Sequence, residues 1–172
     1  RIKGKTILED ISFEINKGDC VALIGPNGAG KTVLMSCILG DKKPSSGQVL
    51  IDGKAGKAKN KIAVLLQENT IPNSLKVEEL IAFFQSISDN PLTNQEVQEL
   101  LQFKEDQYQQ FADKLSGGQR RLLAFVLCLI DKPKILFLDE PTAGMDTSTR
   151  QRFWEIVNDL KRAGTTILYS SH

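Results

Sequence analysis

Cys20-Val21-Ala22-Leu23-Ile24-Gly25-Pro26-Asn27-Gly28-Ala29-Gly30-Lys31-Thr32 decides the reading of this chain. An apolar run enters a glycine-rich loop, and the amphipathic stretch Val33 to Leu39 follows. Strand, loop and helix in that order give the pattern G-x-x-x-x-G-K-[ST] its meaning. Glycines at 25, 28 and 30 let the backbone wrap a polyphosphate with its N–H groups turned inward. Pro26, Asn27 and Ala29 complete the cradle. The helix start adds partial positive charge. Lys31 is expected to reach the β- and γ-phosphates, and the Thr32 hydroxyl to ligate Mg²⁺.

The 172 residues are enough for one domain with a sizeable core. Hydrophobic residues make up 41% and charged residues 25%, a globular balance. A net charge of +1 gives no basic surplus, so no nucleic-acid partner is expected. The longest apolar stretch, Leu122 to Ile130, is too short to span a bilayer. Cys20, Cys37 and Cys128 lie in apolar runs at no metal-type spacing and are expected to be buried free thiols in a reducing cytosol. The sequence starts at Arg1 without Met and stops at His172, which suggests a chain truncated at its C-terminus.

Working outward, Ile7 to Ile15 alternates as a strand does, with Ile11, Phe13 and Ile15 on one face. Gln48 to Ile51 and Ile62 to Leu66 are further expected strands, and the lysine-rich stretch Lys54 to Lys61 is an expected exposed loop. Between Asn73 and Ala112 the period changes. Val77, Leu80, Ile81, Phe84 and Ile87 recur at helical spacing, and Thr93-Asn94-Gln95-Glu96 is a capping box opening a second helix. Phe83, Phe84, Phe103 and Phe111 are expected in the core, with a partner-binding face as the alternative for any that are exposed. The α/β pattern then returns: helix from Gly117 to Ile130, strand from Lys134 to Asp139, helix from Ser148 to Arg162, strand from Thr165 to Ser170. The expected fold is an α/β phosphate-loop NTPase: a mostly parallel central sheet covered on both sides, an N-terminal antiparallel β portion and a helical insert.

Two further segments carry chemistry. Ile135 to Leu138 is an apolar strand ending in Asp139-Glu140. Parallel strands present ligand groups at their carboxyl ends, where the glycine loop also lies. Asp139 is thus placed to hold Mg²⁺ beside Thr32, and Glu140 to act as general base toward an attacking water. Leu115-Ser116-Gly117-Gly118-Gln119 starts a helix. Ser116 and Gln119 make a capping box that needs no ligand, and the same helix start is a second anion site.

Read in order, the glycine loop, Gln67 after a strand, the Leu-Ser-Gly-Gly-Gln segment, Asp139-Glu140 and His172 after a strand resemble the nucleotide-binding domain of ABC ATPases over essentially the whole chain. The resemblance implies ATP and Mg²⁺ as cofactors and a Mg-dependent ATPase. It implies that Ser116, Gly117, Gly118 and Gln119 bind the γ-phosphate of ATP held by another subunit, in a head-to-tail dimer of twins or of related ABC subunits. Gln67 would contact Mg²⁺ or the attacking water. Asp146 would lie in the loop that crosses the dimer interface, and an N-cap role is compatible with that. His172 would contact the γ-phosphate and orient Glu140. The implied setting is the cytoplasmic face of a membrane, peripheral to an integral membrane permease. On this reading residues 1–71 and 116–172 form the core, and 72–115 form a helical and signature subdomain that docks on the permease. The short insert, Gln119-Arg120-Arg121 and Thr142-Ala143-Gly144-Met145-Asp146 resemble exporter-type ATPases of the drug or bacitracin kind. A soluble ABC-type ATPase of translation, DNA repair or cluster assembly is the alternative. One departure stands out: Arg1-Ile2-Lys3-Gly4 lacks the aromatic residue that stacks on adenine in many members.

Overall fold

The computed structural model describes residues 6–55, 62–67 and 71–171. His172, the Arg1–Gly4 stretch and most of the lysine-rich loop lie outside them. Four parallel strands form the central sheet: β1 (Cys20–Ile24), β4 (Ile62–Leu65), β5 (Ile135–Leu138) and β6 (Thr166–Ser171), in the order β1-β6-β5-β4. The register pairs Ile24 with Ser171 and Leu65 with Leu138, so the strands end together at one edge. A two-stranded antiparallel hairpin, β2 (Leu50–Ile51) and β3 (Lys54–Ala55), stands apart from the sheet.

Alternation along β5 divides the core between the sheet's two faces. Leu136 and Leu138 join the larger cluster with α5 (Gly117–Leu129) and α6 (Thr147–Arg162). Phe137 turns the other way and packs with Leu168 and Met35 of α1 (Lys31–Ile38). The stripe on α6 is the expected one: Phe153, Ile156 and Val157 are buried, and Leu160 packs against the same cluster.

Between β4 and α5 run α2 (Val77–Ser86), α3 (Asn94–Leu101), the short α4 (Glu105–Tyr108) and a 3₁₀ turn (Ala112–Lys114). The capping box at Thr93 is present, with Glu96 N–H donating to Thr93 Oγ1 at 3.2 Å and Thr93 N–H to Glu96 Oε2 at 2.7 Å. Val77, Leu80 and Ile81 are buried and Phe84 packs on them.

Three expectations are corrected. Ile7 to Ile15 forms no strand. Asp10, at φ 48°, interrupts the extended backbone, and Ile11 and Phe13 are about half exposed. A strand needs a ladder partner, and among the described residues none pairs with this segment. Ile87 lies just past the end of α2 and is 66% exposed, and Phe83 and Phe111 are also exposed while Phe84 and Phe103 pack on the core. On a helical wheel Phe83 falls off the stripe of 77, 80, 81 and 84. The three cysteines are free, as expected, but half-buried rather than buried.

Candidate functional site

The site is assembled at the carboxyl edge of the sheet. After β1 the chain turns through Gly28 at φ 81° and Gly30 at φ 93° into α1. At Gly30 an added Cβ would come within 2.9 Å of Leu8 Cδ2 and 3.3 Å of Ile7 Cγ2, so the N-terminal segment packs directly on the loop. The backbone angle favours glycine there, and any other residue would also have to displace the Leu8 methyl. Lys31 curls over the loop, and its ammonium donates to the Gly25 carbonyl at 2.5 Å and the Pro26 carbonyl at 3.3 Å. No acidic residue stands in the first turn of α1, whereas α2, α3 and α4 all carry one. Those helices neutralise their own positive ends, and α1 does not.

Thr32 and Asp139 meet although they are far apart in sequence: the Thr32 hydroxyl donates to Asp139 Oδ2 at 3.0 Å. Asp139 is buried, and its other oxygen accepts from Ser170 Oγ at 2.5 Å. Ser170, fully buried, also accepts from the Glu140 N–H at 2.9 Å. Glu140 stands at φ 45°, in left-handed backbone uncommon for a non-glycine residue. Its Oε2 accepts from Gln67 Nε2 at 3.0 Å. Thr32, Gln67, Asp139 and Glu140 are thus brought together in one chain of hydrogen bonds that runs through Ser170 and the Glu140 backbone.

A hydroxyl and a carboxylate are hard oxygen donors of the kind Mg²⁺ takes. No group of three or more His, Cys, Asp or Glu side chains gathers among the described residues. Thr32 and Asp139 themselves fit Mg²⁺, whose other ligands would be phosphate oxygens and water.

The second anion-type helix start, at α5, lies elsewhere. Ser116 and Gln119 close a reciprocal capping box, Gln119 N–H to Ser116 Oγ at 3.2 Å and Ser116 N–H to Gln119 Oε1 at 3.0 Å. The first turn of α5 carries no acid either. Gly118 is where this helix touches the loop before α6: a Cβ there would lie 3.3 Å from Met145 Cα and 3.2 Å from Asp146 Oδ2. Asp146 caps α6. Its carboxylate accepts from Ser148 Oγ, Thr149 N–H and Thr149 Oγ1, and those bonds hold its pKa well below the usual carboxylate range. Gln67, Ile71, Gly117, Arg120, Ala143 and Gly144 help line a cleft of about 330 Å³ beside α5, to which residues 25–32 contribute nothing.

Sequence reasoning missed two residues. Arg121 is a buried arginine in the second turn of α5, and Ser170 is a buried hydroxyl near the end of β6. The signals were a second basic residue directly after the Leu-Ser-Gly-Gly-Gln segment, and a serine directly after the apolar run Ile167-Leu168-Tyr169.

A parallel sheet, a glycine loop before α1 and an acidic strand end bonded to the loop's threonine define the class of phosphate-loop NTPases. Within it, a family profile described as ABC transporter matches residues 8–143, and the chain belongs to the ABC transporter family. It is 35% identical over 170 residues to the high-affinity branched-chain amino acid transport ATP-binding protein BraG of Pseudomonas aeruginosa, covering 93% of this chain and 73% of that protein. It is 34% identical to the Nod factor export ATP-binding protein I of Ralstonia nicotianae, covering 100% and 56%. It is 35% identical to the spermidine/putrescine import ATP-binding protein PotA of Thermotoga maritima, covering 96% and 48%. The chain therefore spans from about half to about three quarters of these relatives. An ATP-binding cassette of an ABC transporter solved in its ADP conformation superposes with a TM-score of 0.78 at 27% identity, over 96% of this chain and 75% of that one. A dimeric cassette bound to ADP and Pi shares the fold, with a TM-score of 0.80 at 22% identity, over 96% and 80%.

Proposed function

We propose that this chain binds and hydrolyses Mg-ATP and so powers an ABC transporter, as a subunit peripheral to a membrane permease on its cytoplasmic face. The observation that carries the reading is the bonded set Thr32–Asp139 and Gln67–Glu140, at the mouth of a glycine loop whose helix has no acid of its own. Lys31 exchanges the Gly25 and Pro26 carbonyls for β- and γ-phosphate oxygens. The loop N–H groups from Gly25 to Thr32 hold the phosphates in place. Thr32 and Asp139 would hold Mg²⁺, with Gln67 beside them, and the bound ion would supply charge neutralisation on the phosphate oxygens. Glu140 takes the proton of the attacking water as the new oxygen–phosphorus bond forms and the bond to the ADP oxygen breaks. Gln67 and Ser170 fix the position from which Glu140 does this, and His172 is assigned to the γ-phosphate side on the family resemblance alone.

Ser116, Gly117, Gly118 and Gln119 bind the γ-phosphate of ATP held by a second cassette, with Asp146 at the interface. The helical segment 72–115 between the core parts 1–71 and 116–172 docks on the permease. The proposed direction is export, on the strength of the short insert and the residues after the signature. Relatives named for import and for export are matched about equally well. In inside-out vesicles holding the complex, ATP-driven accumulation of substrate in the lumen supports export, and depletion refutes it.

Hydrolysis itself is tested with Glu140→Gln. The variant is expected to bind ATP as the parent does while turnover falls by at least about a hundredfold. Parental turnover would remove Glu140 as the base.

A further inference from the structure

Gln67 and Glu140 follow two different strands, and a single side chain holds both loops to a common frame. Arg121, 8% exposed, donates Nη1–H to the carbonyls of Leu66 at 2.5 Å and Gln67 at 3.1 Å. Its Nη2–H reaches the carbonyl of Asp139 at 2.9 Å and, at 3.5 Å, that of Glu140. Its Nε–H donates to the Pro141 carbonyl at 3.2 Å. The guanidinium is a planar fork of five N–H donors, and it spans this fan of main-chain acceptors where an ammonium could meet only part of it.

Three things make this more than packing. Three of the five acceptors are the backbone carbonyls of Gln67, Asp139 and Glu140, whose side chains form the Gln67–Glu140 pair and the acidic half of the Thr32–Asp139 pair. Two of the bonds go to Glu140 and its neighbour Pro141, at the point where the backbone enters the left-handed region. And the arginine grows from the second turn of α5, two residues beyond Gln119 of the signature segment. A buried cation is costly unless its donors are met, so the fan is strongly favoured over a looser arrangement. Burial lowers the guanidinium's pKa, with Cys128 and Asp139 opposing, from a value high enough that it stays charged.

We propose that Arg121 is a positioning residue for hydrolysis: it locks the backbone of Gln67 and Glu140 to the start of α5, so that the glutamine, the catalytic carboxylate and the signature helix move as one unit. The proposal rests on the hydrolytic reading of Glu140. A helix start engaged by the second cassette's nucleotide thereby sets the geometry of the carboxylate in its own site. Movement of α5 relative to β4 and β5 is transmitted through the fork and not through the side-chain pair alone.

The test is steady-state ATPase of the full-length protein carrying Arg121→Lys, which keeps the charge and loses the fork. The expected result is a kcat lower by roughly tenfold to a hundredfold with KM for ATP within about twofold of the parent. In a Gln67→Ala background the same substitution is expected to cost markedly less than in the parent, because both act on one loop. A parental kcat overturns the proposal, and so does a loss fully additive with Gln67→Ala. If Arg121→Lys does not fold, Arg121→Met, which keeps the bulk, carries the same measurements. Failure of both to fold overturns the proposal in favour of a purely structural brace. Glu140→Gln, assayed alongside, reports separately on the hydrolytic reading.

Discussion

Glu140, the proposed base, is set by its backbone as much as by its side chain. Its φ of 45° is sparsely populated for an L-residue and costs about 1–3 kcal/mol, so its surroundings must hold it there. Ser170 accepts its N–H, Arg121 approaches its carbonyl and Gln67 bonds its carboxylate. Asp146 is the opposite case, an unstrained residue whose charge does local work. Three donors, with the Ser148 hydroxyl first, depress its pKa. A folded-state pKa below the unfolded value means that its contribution is fully present above the unfolded value of about 4 and is lost as pH falls from there through the folded one. Asp146→Ala, melted without nucleotide, is therefore expected to lie below the parent by a constant gap above about pH 5. That gap should close progressively below about pH 4. An equal gap at pH 3 and pH 7 would mean that the ionised carboxylate contributes nothing beyond packing.

At the scale of elements, what could be read from sequence and what could not have a common cause. Three strands of the central sheet, β1, β4 and β5, were legible because both faces are covered, so each reads as an unbroken apolar run such as Ile135 to Leu138. Capping boxes at Thr93 and Ser116 were legible because their partners lie three residues away. The pairing of Thr32 with Asp139 could be argued from the rule that ligands gather at strand ends. The stretch from Ile7 to Ile15 failed because alternation records only a local preference. Whether it becomes a strand depends on a partner elsewhere in the chain, and here Ile7 and Leu8 spend their contacts on Gly30 instead. Arg121 and Ser170 failed for a related reason. Their value lies in main-chain acceptors and donors that the fold assembles from distant segments, and main-chain groups leave no mark on the sequence.

At the scale of the whole molecule, α1 and α5 are the two helix starts the sequence singled out as anion sites, and neither first turn carries an acid. The cleft beside α5 is bordered by Gln67, Gly117, Arg120 and Gly144, and residues 25–32 are not among its lining. A single nucleotide bound at the glycine loop would leave the α5 start unused within the same chain, whereas two chains arranged head to tail would use both. Ser116→Ala separates these possibilities. Locally it removes the cap that accepts the Gln119 N–H, at a cost of about 1 kcal/mol of stability. If the α5 start serves a second chain, ATP affinity of the monomer should stay within about twofold of the parent, since each 1.4 kcal/mol is tenfold and no phosphate contact in cis is lost. ATP-dependent dimerisation should weaken by about tenfold or more, the loss of a hydrogen bond to a charged group. In the Glu140→Gln background, where turnover does not disperse the dimer, light scattering across an ATP titration measures dimerisation, and the fluorescence of a labelled ATP analogue at protein concentrations too dilute for dimers measures monomer binding. Equal loss of monomer binding and dimerisation would place Ser116 on its own chain's nucleotide and end the head-to-tail assignment.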